Sequence, residues 1–225
     1  MSIYRLQIDL LSDTTFGRGD GVAGVVDTEV QHDEYGCPYL AGRTLKGLLR
    51  EECVNLLYAL DQAGKAEYWW EPARRLFGEP GSTHATRALL HISDAKLPDD
   101  LRNVLAYAVQ TGALSRQQVL ESLTAIRRQT AVDVRSEAPR QETLRALRVI
   151  VRQTTFHALL ALEDVLTAKE RTSDLALLSA CDKALRLAGT GRNRGVGEIR
   201  VRLQDEAGQD VTDHYFHTFS KEVSA

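Results

Sequence analysis

Three groups of residues in this chain have types and spacings that could do chemistry. The first is the run Gly189-Thr-Gly-Arg-Asn-Arg-Gly-Val-Gly-Glu198. Gly191, Gly195 and Gly197 would let the backbone come close to a phosphate, and Arg192 and Arg194 would supply charge. No Gly-Lys-Ser/Thr follows, so this is not a Walker loop. It also precedes a predicted strand rather than a helix, which argues against a dinucleotide fingerprint. It reads either as a contact to a nucleic-acid backbone or as a flexible helix-to-strand loop.

The second group is Gly36-Cys-Pro-Tyr-Leu-Ala-Gly-Arg-Thr-Leu-Lys-Gly-Leu-Leu-Arg50. Lys46 and Arg50 are four apart and share a face near the start of a predicted helix. Helix N–H groups, the dipole and two cations suit a phosphate, and a solvated basic edge is the other reading. The third group is an acidic loop with Asp20, Asp27, Asp33 and Glu34. Carboxylates repel a nearby phosphate chain unless a divalent cation intervenes, although Asp in a Gly-rich loop also serves as a plain turn residue. His214-x-x-His217 lacks a third ligand nearby, His84 and His91 lie in no motif, and Trp69-Trp70 reads as core or subunit contact.

The elements that must position these groups follow from periodicity. Strands are predicted over 3–11, 87–92, 144–162 as one or two strands around Gln153-Thr154, and 198–203. Helices are predicted over 44–63, with Thr44 as a cap, and over 68–77, 99–110, 115–128 and 174–188. The tail after Gln204 is weakly patterned. The order gives an α+β chain, a ferredoxin-like (RRM-like) βαββαβ core in one domain. The core spans about 1–98 and 142–204, a helical insertion about 99–128, and a C-terminal tail 205–225.

Composition bounds the function classes. The 225 residues are 43% hydrophobic and 26% charged, ordinary globular values. No apolar run approaches the roughly 18 residues of a membrane span, the N-terminus lacks signal-peptide character, and three dispersed cysteines suit reduced thiols. A cytoplasmic protein with no membrane partner is expected. The net charge of -3 hides an uneven distribution. Residues 115–152 hold eight Arg against four acids, and residues 186–202 hold five Arg against one. Arginine's planar fork suits phosphate, so these blocks read as an anion-binding face or as solvated helix faces.

Taken together, these segments resemble the RAMP superfamily of CRISPR-associated proteins, specifically backbone subunits of type III effector complexes, over roughly residues 3–204. The family's Gly-x-Pro-Tyr-Ile-Pro-Gly-Ser-Ser-Leu-Lys-Gly-x-x-Arg stretch corresponds to Gly36–Arg50. Leu76-Phe77-Gly78, then Leu89 to Ala95 with Asp94-Ala95, is similar to a second pair of family motifs. Arg128-Gln-Thr-Ala-Val-Asp133 resembles the start of the thumb hairpin, and Asn193 to Val201 the C-terminal glycine loop. Arg43-Thr44 departs from the Ser-Ser pair, and the Pro usual after the loop Asp is missing.

The resemblance implies RNA binding through Arg43, Lys46, Arg50, Arg128, Arg135, Arg140, Gly191, Arg192, Arg194, Gly195 and Gly197. It implies a thumb over about 129–141 that wedges into the guide–target duplex. In catalytic members a loop Asp cleaves target RNA with a divalent metal. Asp27 matches it here and would hold Mg²⁺ or Mn²⁺. Implied partners are CRISPR RNA, target RNA, other RAMP backbone subunits, and the large and small subunits of the complex. Two alternatives remain: a non-catalytic scaffold of the same assembly, and a guide-processing endonuclease using His84 or His91. Lys46, Arg50, Arg192 and Arg194 are expected to converge on the guide's phosphates.

Overall fold

The computed structural model describes residues 2–79, 81, 86–130, 145–163, 167–192 and 195–224. Four strands form one antiparallel sheet: β1 (Ser2–Leu10), β2 (Leu90–Ile92), β5 (Thr155–Leu162) and β6 (Ile199–Gln204), in the spatial order β2-β5-β1-β6. The remaining strands, β3 (Thr124–Gln129) and β4 (Arg145–Ile150), pair with each other as a separate antiparallel ribbon, from Thr124↔Ile150 to Gln129↔Arg145. The helices are α1 (Gly42–Gln62), α2 (Glu67–Phe77), α3 (Asp99–Gln110), α4 (Arg116–Leu123), α5 (Ala168–Ala184) and α6 (Thr212–Ser224). The expected mixed α+β class holds. Among the described residues no helix is long and apolar enough to cross a membrane.

Alternation sets the two faces of the sheet. Leu6, Ile8 and Leu10 of β1, Phe156, Leu160 and Leu162 of β5, and Ile199, Val201 and Leu203 of β6 are buried in the core with α1, α2 and α5. The intervening residues carry a polar ladder on the other face. Asp9 accepts hydrogen bonds from Gln7 and Thr155 and pairs with Arg202, while Gln204 donates to Gln7. Although burial works to raise the Asp9 pKa, these bonds hold it below the ordinary value.

Several local expectations change. The helix predicted over 115–128 stops at Leu123, and the β-branched residues that follow enter β3, because pairing with β4 outweighs a helical reading of a short apolar run. Ser115 and Gln118 close a capping box at the start of α4. Thr44 does not cap α1. The helix begins at Gly42, whose N–H donates to Asp94 Oδ1 at 2.9 Å, and a side chain at Gly42 would overlap the backbone of Ile92 and Ser93. This explains the Gly42 and Asp94 positions in one stroke.

The last long helix starts earlier than predicted, with Thr167 and Glu170 as a capping box, and it is not amphipathic. Ser173 through Asp182 are all buried, because α1, α2, β6 and also α6, formed by the weakly patterned tail, pack against α5. Trp69 is core, packed 4.6 Å from Phe219 of α6, whereas Trp70 is 49% exposed. The thumb segment lies almost wholly outside the described residues. Its stem, β3 and β4, lies within them.

Candidate nucleic-acid interface

The loop that follows β1, residues 11–41, is fastened to the β3–β4 ribbon. Thr14 exchanges both backbone hydrogen bonds with Ile150, at 3.0 and 2.7 Å. Farther along, Thr28 runs beside Leu147 in parallel, and its carbonyl accepts from the Arg148 N–H at 3.0 Å. The free edge of β4 is thereby covered by loop backbone, which removes an exposed strand edge.

Asp27 sits in this docked stretch. Its N–H donates to the Ala146 carbonyl, and its Oδ2 accepts from the Ala146 N–H, both at 2.7 Å. Ala146 pairs with Arg128 across the ribbon, so the Asp27 carboxylate and the exposed Arg128 stand at the same level of the stem. Asp27 itself is exposed.

Two residues farther on is a buried ion pair that the sequence reading missed. Arg148 Nε donates to both oxygens of Glu29, at 2.8 and 3.1 Å, with exposures of 4% and 2%. Arg148 also donates to Thr124 Oγ1 on β3 at 3.3 Å, and Glu29 accepts from the Val30 N–H at 2.9 Å. Removing one partner of such a pair strands a buried charge, at a cost of about 3–5 kcal/mol. The available signal was an arginine within the apolar run Leu147 to Ile150, since such a residue needs a buried acid. Asp13 was missed as well. It accepts two bonds from Arg127 of β3, at 2.9 and 2.6 Å, and one from the Arg152 N–H at 3.1 Å.

The glycine loop is stapled to the same first loop. Gly197 N–H donates to the Asp13 carbonyl and Thr190 N–H to the Thr15 carbonyl, each at 2.9 Å. Gly189 has φ +87° and lies against the Thr15 carbonyl, so a side chain there would meet both strain and overlap. Gly191 and Gly195 also have positive φ. Beside this junction lies a cavity of about 220 Å³ lined by Phe16, Gln31, Thr44, Leu48, Thr190 and Arg192 among others. Arg192 stands 3.6 Å from Glu51 of α1.

The structure thus seats Asp27 in the first loop with Gly197 bonded to that loop, Arg128 across β4 from Asp27, and Arg192 beside the loop's Phe16 and Gln31, but against the expected convergence it turns Lys46 away from Arg192. Lys46 is half-buried and donates to the Leu90 carbonyl at 2.6 Å, on the β2 side of α1. Burial and then the charge of Arg50 lower its pKa. Arg50 is exposed and lines an apolar groove with Val54, Trp70 and Phe77. Arg43 is exposed at the start of α1. Arg135, Arg140 and Arg194 lie outside the described residues.

The other acids of the loop are structural. Asp33 accepts from the Tyr35 and Cys37 N–H groups and from Arg102, Glu34 lies 3.9 Å from the same Arg102, and Asp20 pairs with Arg18. Among the described residues no group of three or more His, Cys, Asp or Glu side chains could hold a metal. A protein cage for a cation is therefore a poor fit. Mg²⁺, however, keeps several waters and takes one or two carboxylates plus substrate phosphates, a mode that the exposed Asp27 carboxylate suits. His91 lies on β2 with Glu163 at 3.1 Å, beside Arg87, and His84 lies outside the described residues.

Comparison with known proteins gives a consistent picture. The family model of the RAMP superfamily matches residues 7–200. A chain in the cryo-EM structure of a type III-B Cmr-beta complex bound to cognate target RNA is similar in fold, with a TM-score of 0.62 and 14% identity. The alignment covers 90% of this chain and 97% of that one. A chain of the apo-state Cmr-beta structure gives a TM-score of 0.59 with the same identity and coverage. No curated protein matches the sequence.

Proposed function

The chain belongs to the RAMP superfamily, and from that premise we propose that it is an RNA-binding backbone subunit of a type III CRISPR effector complex, with Asp27 serving the cleavage of target RNA. The sheet order, with β1 and β5 central and the apolar face covered by helices, supports reading the core as the ferredoxin-like βαββαβ unit. The β3–β4 stem supports reading 129–141 as the tip of a thumb hairpin.

The observation that carries the proposal is the seating of Asp27 on the root of that hairpin through both of its bonds to Ala146. A carboxylate at this level lies beside whatever the hairpin inserts into. Arg43, Arg50, Arg128, Arg135, Arg140, Arg192 and Arg194 would contact phosphates of the CRISPR RNA and the target. Gly191, Gly195 and Gly197 would give the backbone close approach. Lys46 is left out of this set, since its ammonium is committed to the Leu90 carbonyl. Neighbouring RAMP subunits and the large and small subunits of the complex would be its protein partners, in the cytoplasm.

Cleavage by the RNA's own 2'-hydroxyl forms the O2'–P bond and breaks the P–O5' bond, and it needs those three atoms in line. Bound Mg²⁺ or Mn²⁺ would supply charge stabilisation at the phosphate, and Asp27 is the residue that would hold it. The hairpin would supply the geometry by distorting the duplex next to Asp27. Asp27→Ala, or Asp27→Asn at constant volume, should abolish chelator-sensitive cleavage of a labelled complementary RNA by the assembled complex. Guide and target binding should persist, because the change removes negative charge from an RNA surface. Unaltered cut sites and rates would leave a non-catalytic scaffold. A guide-processing nuclease built on His91 has less support, since that ring, on β2, is held by Glu163 at the end of β5 rather than by the loop that carries Asp27.

A further inference from the structure

We propose that Arg148 and Glu29 are positioning residues, a buried tie that sets the level of Asp27 on the hairpin so that cleavage moves in register with hairpin insertion. The inference rests on the catalytic reading of Asp27 and names what aligns it. The Asp27 segment touches β4 at backbone groups of that strand: the Ala146 carbonyl accepts from the Asp27 N–H, the Ala146 N–H donates to the Asp27 carboxylate, and the Arg148 N–H donates to the Thr28 carbonyl. Backbone bonds of this kind repeat along a strand and would allow a slip. A charge-assisted bond from the Arg148 Nε–H to the carboxylate of Glu29 has no such repeat, since the strand offers no second guanidinium one step away.

Arg148 reaches Glu29 on the loop side and Thr124 on the β3 side, so one side chain clamps all three segments at the hairpin root. Asp27 lies two residues from Glu29, and Ala146 two residues from Arg148. Each interval is one repeat of an extended chain, about 7 Å. The carboxylate's height above the clamp is therefore set by chain geometry. A loss of register of even about 1 Å at a reacting centre costs on the order of 100-fold in rate.

The test compares Arg148→Met, and the paired change Glu29→Leu with Arg148→Met, in the assembled complex. Arg148→Met should slow single-turnover cleavage on the order of 100-fold and broaden the cut positions, with RNA affinity within about twofold. The paired variant replaces the ion pair by apolar groups and should recover the melting temperature of the subunit. It should stay slow, because apolar contact is not directional. Recovery of rate and cut register together with melting temperature would overturn the proposal and leave a purely structural pair.

A second readout separates this from failure of the catalytic reading. In the free subunit the Ala146 amide should exchange much faster in both variants, and unchanged protection there would also overturn the tie. If Asp27→Ala cleaves normally while Ala146 protection falls as expected, the tie stands and the chemistry belongs elsewhere.

Discussion

Two buried ion pairs hold two different regions of this molecule, and they work under opposite conditions. In the helical layer, Arg75 of α2 binds Asp174 of α5 through both oxygens at 2.6–3.1 Å and also reaches Ser173. Around it α2 and α5 contribute Leu76, Phe77, Leu175 and Leu178 to a continuous apolar core. At the hairpin root, Val30 and Ile150 beside the Glu29–Arg148 pair also reach the core, but the exposed stretch that carries Asp27 is fastened to β4 by its hydrogen bonds to Ala146 and by the Thr28 carbonyl accepting from the Arg148 N–H. The first region would stay in place through apolar burial without its ion pair. The second is placed by directional polar bonds. Loss of Arg75 should therefore be read in stability, and loss of Arg148 in position.

The largest expected effect tests the first half of that contrast. Arg75→Met leaves Asp174 buried without its cation and should cost about 3–5 kcal/mol of unfolding free energy. Burial pushes the Asp174 pKa up to about 6 even with Arg75 in place. The pair therefore offsets only part of the burial penalty. Its raised value means that protonation favours the fold. The Asp174 contribution is full below the unfolded value near 4 and is lost as pH rises through about 6. Denaturant titrations of wild type and variant at pH 5 and pH 8 should show a larger deficit for the variant at pH 8. Equal deficits at both pH values would mean that Asp174 is not the group left behind.

A smaller effect sharpens the contrast within α5 itself. Asp182 is fully buried, neither of its oxygens has a hydrogen-bond partner among the described residues, and burial followed by the charge of Asp210 raises its pKa well above the ordinary value. Here too the folded value exceeds the unfolded one, so stability falls as pH rises from the unfolded value toward the folded one. Asp182→Asn removes that titration. Its stability should vary less with pH between about 4 and 8, with a gain over wild type of about 1–3 kcal/mol at the upper end, the usual cost of a poorly satisfied buried polar group. Parallel stability–pH curves for the two proteins would show that Asp182 is solvated in solution.

Legibility in the sequence followed the same division. The sheet strands could be read because alternation reports a face buried against helices, as in Glu198 to Leu203. The turn at Gln153, with φ 67°, was marked by the polar break Gln153-Thr154 between two apolar runs. Asp27 could be found only through resemblance, since nothing in its neighbours distinguishes it from a turn residue. Its seat on Ala146, 119 residues away, depends on tertiary pairing. The ends of α5 were hidden for a related reason: once a helix is covered on every side, its apolar stripe disappears. The expected convergence of Lys46 with Arg192 rested on the helix start and the glycine loop meeting at one edge of the sheet, and that reading did not include the helix phase. Thr44 and Leu48 of α1 turn toward the glycine loop, and Lys46 turns toward β2.

That phase difference leads to the smallest predicted effect. Each phosphate contact contributes a slope of about 0.7–0.9 to the dependence of log affinity on log salt. Arg192→Ala, at the junction of glycine loop and α1, and Arg43→Ala, at the exposed start of α1, should each reduce the slope for guide RNA by about one contact, roughly uniformly across guide sequences. Lys46→Met should leave the slope unchanged. Its ammonium donates to the Leu90 carbonyl, so the loss appears instead as an unpaired carbonyl at β2 and about 1 kcal/mol of stability. Binding isotherms at four or five salt concentrations, with melting curves of the same variants, separate the two outcomes. A drop in slope for Lys46→Met equal to that for Arg192→Ala would mean that Lys46 leaves Leu90 to bind phosphate, and the two faces of α1 would then act as one RNA surface.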